Sequence, residues 1–219
     1  MTGFRFLPFH IIIIAILATP AFTHAQWLLR LDGGLVQAGG EVEPSSENLE
    51  HAARGGLSLG AAVEYAFPTG ISLSLEAAWR EGGVERYFRQ QLVEEHRHRR
   101  IDAAAVLRWM PLRGRLRPHL LTGAGFTVPL ETMVQFGFHE RFNFIEGTEG
   151  MRTAVPFVLI GGGVRLSFDS GILLGAEAAW QPALADTYAA STPGGPSFLA
   201  RDVLVIVSVG YTWGFGHFR

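Results

Sequence analysis

Hydrophobic and polar residues alternate along most of the chain after residue 26. The stretch "GISLSLEAAWR" (70–80) is typical, with apolar side chains at every second position. Its apolar face carries Ile71, Leu73, Leu75, Ala77 and Trp79, and its other face carries Ser72, Ser74, Glu76, Ala78 and Arg80. Side chains on opposite faces at a period of two are the signature of a β-strand. The pattern therefore predicts a strand here and in similar segments elsewhere.

Eight segments share this pattern, so the fold class is all-β. They lie at 27–37, 55–67, 71–82, 98–110, 115–128, 154–168, 171–182 and 202–215. Three connections are short, turn-forming sequences: "PTG", "PLRG" and "DSG". The other four, near 38–54, 83–97, 129–153 and 183–201, are long and polar. Because short and long connections alternate, we expect an antiparallel up-and-down meander with every short turn at one end and every long loop at the other.

The first 25 residues are predicted to be a cleaved signal peptide. "MTGFR" carries one positive charge, "IIIIAILA" is apolar but too short to span a bilayer as a helix, and "THA" supplies small residues at a cleavage position. Cleavage is expected after Ala25, which leaves Gln26 as the new N-terminus. The domain is then 26–219, and the chain is exported.

Composition narrows the classes of function. Charged residues are 17% and hydrophobic residues 48%, so the chain is less polar than an ordinary soluble domain. A formal net charge of −2 gives no reason to expect nucleic acid as a partner. Without cysteine, disulfides and thiolate metal sites are excluded. No metal and no cofactor is expected.

The apolar face is predicted to meet lipid. The polar face consists of Gly, Ala and Ser with isolated charges, which suits a narrow interior. Aromatic residues gather near the strand ends on the apolar face, like the interfacial girdles of outer-membrane barrels. At the short-turn end these are Trp27, Phe67, Trp109, Phe168 and Trp213, and toward the other end they are Trp79, Phe126 and Trp180. With a rise of ~3.3 Å per residue and a strand tilt of ~40°, Ile71 and Trp79 are about 20 Å apart along the barrel axis. This height is close to the ~25 Å apolar band of such barrels. A secreted soluble barrel with its apolar face inside is the alternative.

A β-structure in lipid must close, because an open edge leaves backbone groups unsatisfied. Eight strands close into a small barrel whose interior is filled by side chains. The chain also repeats itself: "GAAVEYAFPTGISLSLEAAWR" (60–80) aligns without gaps on "GGGVRLSFDSGILLGAEAAWQ" (161–181). In a ring of eight strands the two copies face each other across the lumen, each with one glutamate inward, Glu76 and Glu177. Duplication of a four-strand half and convergence on a favourable hairpin both explain the repeat.

These features together resemble the small outer-membrane β-barrel proteins of the OmpA transmembrane-domain and OmpX type, and the porin-family outer-membrane β-barrel proteins. The last strand, "VGYTWGFGHF", ends in aromatic residues as theirs does, although Arg219 follows Phe218 here. The resemblance implies an eight-stranded antiparallel transmembrane barrel in the outer membrane of a Gram-negative envelope. Short turns would face the periplasm and long loops the exterior.

The interior positions collect charges of both signs. They are Arg30, Asp32, Glu64, Glu76, Arg80, Asp102, Arg108, Arg117, His119, Arg165 and Glu177, with Arg100 also on the inward face. Buried charges are tolerated when they are paired and hydrogen-bonded, and the arginine fork binds carboxylates bidentately. We therefore predict a salt-bridged plug that closes the lumen. A narrow ion path and a catalytic cluster are the alternatives.

The functional expectation is a structural, adhesion or docking component of the envelope. The segment "GVERYFRQQLVEEHRHR" (83–99) is expected to protrude as a hairpin beyond the membrane and, with an acidic first loop, to contact another envelope protein or lipopolysaccharide. His96 and His98 share a strand face there, but alternating charges favour a solvated loop. The alternatives are a narrow porin-like channel and, less favoured, a lipid-modifying enzyme. We find no closely spaced Ser/His pair on an apolar face near the outer rim, so no enzyme is predicted.

Overall fold

The strands form one closed antiparallel barrel. The computed structural model describes residues 26–43, 50–89, 91–138, 141–147, 152–187 and 197–213. The strands are β1 (Gln26–Glu43), β2 (Glu50–Ala66), β3 (Ile71–Phe88), β4 (Gln91–Trp109), β5 (Leu116–Phe138), β6 (Arg141–Gly147), β7 (Val155–Ser167), β8 (Ile172–Pro182) and β9 (Ser197–Trp213). Eight of them, all except β6, pair with their neighbours in chain order, and β9 returns to pair with β1. The predicted eight-stranded up-and-down barrel is confirmed.

The strands extend further than the apolar pattern predicts. Parts of the connections expected to be loops near 38–54, 83–97 and 129–153 are strand, and β6 pairs with the far end of β5 outside the ring. The loop assignment is wrong for these positions, because a strand beyond the barrel needs only backbone partners and can carry polar side chains on both faces. The predicted continuation of β3 and β4 as a paired hairpin is confirmed as far as Phe88 and Gln91, and β2 and β5 run beside it as far as Tyr87 and Glu94.

The two repeated hairpins have the same turn. Phe67 N donates to Ile71 O at 2.8 Å, and Phe168 N donates to Ile172 O at 2.9 Å. Both turns end in a glycine at positive φ, Gly70 at 80° and Gly171 at 85°. Residues other than glycine rarely adopt this backbone conformation. The short connections at 67–70, 110–115 and 168–171 lie at one end of the barrel, called the turn end below. The opposite end is the loop end.

Side chains alternate between the lumen and the exterior as predicted. The outward positions between the aromatic belts carry no charged residue in the described strands, and their large apolar side chains are exposed. Leu75 and Val207, for example, are 68% and 62% exposed. The lumen instead holds buried Arg, Glu, Asp and Ser with small residues between them.

Small residues let the large interior side chains fit. A Cβ built on Gly163, an inward position of β7, would overlap the carbonyl oxygen of Ala176 and lie 2.9 Å from Cα of Glu177. Gly161, two residues along, meets β8 in the same way at Ala178 and Ala179. The glycines of "GGGV" therefore bring β7 close to β8 at the level of Glu177.

Candidate functional site in the barrel lumen

The centre of the lumen toward the turn end is an ionic cluster built around Arg108. This side chain is fully buried on β4. Its Nε donates to Glu177 Oε1 at 2.9 Å, its Nη2 to Glu76 Oε1 at 2.7 Å, and its Nη1 to Ser74 Oγ at 2.7 Å. A second bond from Nη2 reaches Glu177 Oε2 at 3.0 Å. Arg108 thus bonds to both glutamates of the repeated hairpins.

Arg30 on β1 joins the same two glutamates. Its Nη2 donates to Glu76 Oε1 at 2.9 Å and its Nη1 to Glu177 Oε1 at 3.3 Å. Its Nε lies 2.7 Å from Asp32 Oδ1. Two guanidinium groups therefore share two glutamates, and each carboxylate is held by more than one charge-assisted contact.

Two more pairs complete this part of the lumen. Arg165 binds Glu64 bidentately, with Nη1 at 2.6 Å from Oε1 and Nη2 at 2.8 Å from Oε2. His119 Nε2 lies 3.1 Å from Glu177 Oε1. We call the whole set the lower cluster: Arg30, Asp32, Glu64, Glu76, Arg108, His119, Arg165 and Glu177. Three guanidinium groups face four carboxylates, and His119 is the remaining basic group.

An apolar layer lies directly above the lower cluster. Its buried members come from different strands and pack together: Val36, Ala38, Val106, Leu121, Leu159, Ala179 and Leu204. On β8 the inward positions run from Glu177 through Ala179 to Gln181, and on β4 they run from Arg108 through Val106 to Asp102. The layer therefore separates the lower cluster from a second polar group nearer the loop end.

This second group, the upper cluster, comprises Arg80, Arg100, Asp102, Thr127, Gln181 and Asp202. Arg80 contacts both Asp102 and Gln181. Asp102 also accepts hydrogen bonds from Thr127 Oγ1 at 2.6 Å and from Gln181 Nε2 at 2.9 Å. Arg100 pairs with Asp202. Two arginines thus face two aspartates.

The structure gathers most of the predicted interior charges into these two clusters. Arg117 lies elsewhere, half-buried at the turn end, where its Nε donates to the carbonyl of Gly114 at 2.8 Å. Sequence reasoning missed Gln181 and Asp202. Both stand at the ends of predicted strands, although Asp202 shares its face with Leu204, Ile206 and Ser208, and this alternation could have identified it.

The predicted aromatic belts lie on the outside of the barrel. Near the turn end, Trp27 is paired in register with Tyr65 and Trp213. Its ring meets that of Tyr65 edge to face, with centroids 4.9 Å apart. The outward side chains of the two belts are exposed or half-buried: Trp27, Phe67, Trp109, Phe168 and Trp213 at the turn end, and Trp79, Phe126 and Trp180 toward the loop end. Ala25 lies outside the described residues, which begin with Gln26 at the start of β1.

Two features are absent from the residues that the structure describes, a cluster of metal ligands and a membrane-spanning helix. Within the described residues, no group of three or more His, Asp or Glu side chains is arranged to hold a metal ion. The described part of the chain also contains no helix that is both long and apolar enough to cross a membrane.

Comparison with solved structures identifies the fold. The outer membrane protein OprG from Pseudomonas aeruginosa matches with a TM-score of 0.52 at 12% identity, over 86% of this chain and 96% of that one. Neisserial surface protein A matches with a TM-score of 0.48 at 11% identity, over 84% and 96%. No family model and no curated protein matches the chain. The fold is that of the small outer-membrane β-barrels, which confirms the resemblance drawn from the sequence.

Proposed function

We propose that this protein is an integral outer-membrane barrel with a sealed lumen, and that it serves the envelope as a structural and docking component. The signal peptide expected at 1–25 would deliver it to the envelope. Its exterior suits hydrocarbon, because a continuous band of exposed Leu, Val, Ile and aromatic side chains surrounds the ring. A soluble protein rarely exposes an apolar patch of this extent.

The observation that most strongly supports a sealed lumen is the stacking of three layers. The lower cluster, the apolar layer and the upper cluster follow one another along the barrel axis. Ions entering from either end meet paired charges and then an apolar constriction lined by Val106, Leu121 and Leu204. Hydrophobic constrictions oppose ion passage because an ion must leave water to cross them.

The docking role is supported by the β3–β4 hairpin. It continues beyond the loop-end aromatic belt, and its tip exposes Phe88 and Leu92 at 40% and 39%. Arg89, at positive φ in the turn, lies 5.3 Å from the centroid of the Phe88 ring. Near the tip, the hydrogen bond from Tyr87 Oη to Glu85 Oε2 at 2.6 Å raises the pKa of the Tyr87 hydroxyl. Because β2 pairs with β3 as far as Tyr87 and β5 pairs with β4 as far as Glu94, the tip offers a protein partner its apolar and cationic side chains rather than long backbone edges.

Lipopolysaccharide is the proposed partner at the membrane surface. Arg97, Arg99 and Arg201 face outward just beyond the apolar band at the loop end. Arg99 Nη1 is paired with Glu131 Oε2 at 2.7 Å, so the ring of charge here has both signs. Arginine binds phosphate with a planar fork, which suits contact with phosphorylated lipid head groups. The acidic side chains of the first loop, Glu41, Glu43, Glu47 and Glu50, lie outside the side chains that the structure describes.

A narrow channel is the second candidate, because cavities enter the barrel from both ends. One is lined by Glu64, Arg117 and Arg165 at the turn end, and the other by Arg100, Gln181 and Asp202 at the loop end. Planar-bilayer recording of the purified, refolded protein separates the two functions. Silence supports the sealed barrel, and steady single-channel openings would establish the channel and overturn it.

A further inference from the structure

The connection between β4 and β5 carries an amphipathic patch at the turn end of the barrel. Leu112 and Arg113 lie in the middle of this connection and are exposed, Leu112 by 56%. Arg115 and Leu116 follow them, and Leu116 is 60% exposed at the start of β5. We call these four residues the turn-end patch. It places two guanidinium groups among apolar side chains just past Trp109 of the turn-end aromatic belt.

Hydrogen bonds at both ends hold this connection in place. Met110 N donates to Gly70 O at 2.7 Å, which joins its start to the turn between β2 and β3. Ser167 N donates to Arg115 O at 2.8 Å, which joins its end to β7. The turn-end patch is therefore fixed to the neighbouring elements at the edge of the barrel.

The patch has an excess of positive charge. The three short connections, at 67–70, 110–115 and 168–171, carry three charged side chains, Arg113, Arg115 and Asp169. Arg115 Nη2 lies 2.6 Å from Asp169 Oδ2, so these two charges are paired. Arg113 forms no ion pair with any residue that the structure describes. Its exposed guanidinium group therefore attracts an anion to this surface.

The apolar neighbours of Arg113 restrict the kind of anion. Leu112 precedes it, and the outward side chains of Trp109 and Leu116 are 51% and 60% exposed on the adjoining strand ends. Leucine is stabilised where it can leave water, as it does at the boundary between acyl chains and head groups. Arginine beside it can lay its apolar stem along the hydrocarbon and keep its charge among the head groups. A soluble acidic partner would use the charge of the patch but not its leucines.

We propose that the turn-end patch binds an anionic phospholipid, with Arg113 on the phosphate and Leu112 among the acyl chains. The planar guanidinium group suits a phosphate because it can donate two parallel hydrogen bonds. In the expected orientation the turn end faces the periplasm, so this lipid belongs to the inner leaflet, opposite the lipopolysaccharide proposed at the loop end. The inference rests on the proposed membrane location and adds to it a second lipid class with its own site.

The test measures lipid preference next to the patch. The other four tryptophans are replaced by phenylalanine, so that only Trp109 reports, and the protein is refolded into vesicles of dioleoyl phosphatidylcholine with increasing fractions of phosphatidylglycerol. One series contains phosphatidylglycerol with brominated acyl chains, and the other contains brominated phosphatidylcholine. The quenching in the two series gives the relative binding constant of the two lipids beside Trp109. We expect a preference of about fivefold for phosphatidylglycerol, equivalent to about 1 kcal/mol for one arginine at anionic lipid.

Two variants and a second reporter locate the site. Arg113→Gln removes the charge and is expected to lower the preference at Trp109 to about onefold. Arg152→Gln, an exposed arginine before β7 at the loop end, is the matched control and should leave it unchanged. In a protein that retains only Trp79, in the belt toward the loop end, Arg113→Gln should have no effect on the preference.

Equal binding of the two lipids beside Trp109 would overturn the inference, and so would an unchanged preference in Arg113→Gln. In both cases the membrane location stands, because brominated lipid still quenches Trp109. If neither brominated lipid quenches it, the membrane location fails and the inference fails with it. If the protein with one tryptophan does not fold, as judged by heat-modified migration in gels, Arg113→Gln is compared with the parent protein with all five tryptophans present. Weaker quenching of the variant by brominated phosphatidylglycerol then supports the site, and equal quenching overturns it.

Discussion

Glu76 and Glu177 lie on strands opposite each other in the ring and are joined through one side chain. Arg108 Nη2 reaches Glu76 Oε1 at 2.7 Å and Glu177 Oε2 at 3.0 Å. The two glutamates occupy equivalent positions in the repeated hairpins, so the repeat places matching acceptors on both sides of the lumen. The basic side chains between them come from β1 and β4, outside the repeated segments.

The first prediction concerns removal of both acceptors. The double variant Glu76→Ala with Glu177→Ala leaves Arg30 and Arg108 buried without their main partners, and breaking a buried pair costs about 3–5 kcal/mol. We expect a lower midpoint of thermal unfolding by circular dichroism, or a raised conductance in planar bilayers if the barrel stays closed as a ring. Asp169→Ala, in an exposed pair with Arg115, is the control. If neither the unfolding midpoint nor the conductance changes, the prediction that these charges plug the lumen is wrong.

Arg108 itself provides a sharper comparison of buried and exposed charge. We expect Arg108→Met to lower the free energy of unfolding in urea by about 3 kcal/mol or more, because two glutamates lose a donor in a buried site. Arg115→Met removes the same group from the pair with Asp169, whose side chains are 72% and 81% exposed. This variant should change the free energy of unfolding by less than about 1 kcal/mol. Equal effects in the two variants would show that the lower cluster contributes no more than a surface pair.

The close approach of β7 to β8 predicts a strong effect of a single methyl group. In Gly163→Ala the new Cβ would overlap the backbone of Ala176 and press on Glu177. We expect destabilisation by about 1–3 kcal/mol, as for other overpacked interiors. In Gly33→Ala the new Cβ meets only Leu59 Cδ2 at 3.9 Å, so this variant should unfold like the parent protein. Urea unfolding measures both, and similar midpoints would contradict the packing described here.

The apolar layer is predicted to be the seal. Truncating Val106 and Leu204 to alanine shortens two fully buried side chains of the layer between the two clusters and opens room for water. We expect ion conductance to rise in planar bilayers. Truncating Leu204 alone should lower the free energy of unfolding by about 2–5 kcal/mol. Val203→Ala, next to Leu204 but facing outward, should leave the conductance unchanged. A folded double variant that remains silent would show that the seal lies elsewhere.

The sequence predicts the ring well because a period of two over eight segments fixes which side chains face inward. Arg108, Glu76 and Glu177 could be assigned to the lumen in this way, but not to one another, since their contact depends on strand register and tilt. The extended end of β5 was missed because polar strands beyond the membrane carry no apolar alternation, whereas the extension of β3 and β4 was predicted as a hairpin at 83–99. Asp202 was missed because it is the first residue of its predicted strand, although it shares the inward face of Leu204 and Ile206.

The most direct test of the account is quenching of tryptophan fluorescence by brominated lipids. All five tryptophans, Trp27, Trp79, Trp109, Trp180 and Trp213, occupy outward positions in the two aromatic belts. If the apolar face meets lipid, quenching in vesicles will be strong, greater with bromine near the glycerol end of the acyl chain than near its terminus, and aqueous acrylamide will quench little. A mature chain that stays soluble without detergent, with its tryptophan fluorescence unaffected by brominated chains, would contradict it.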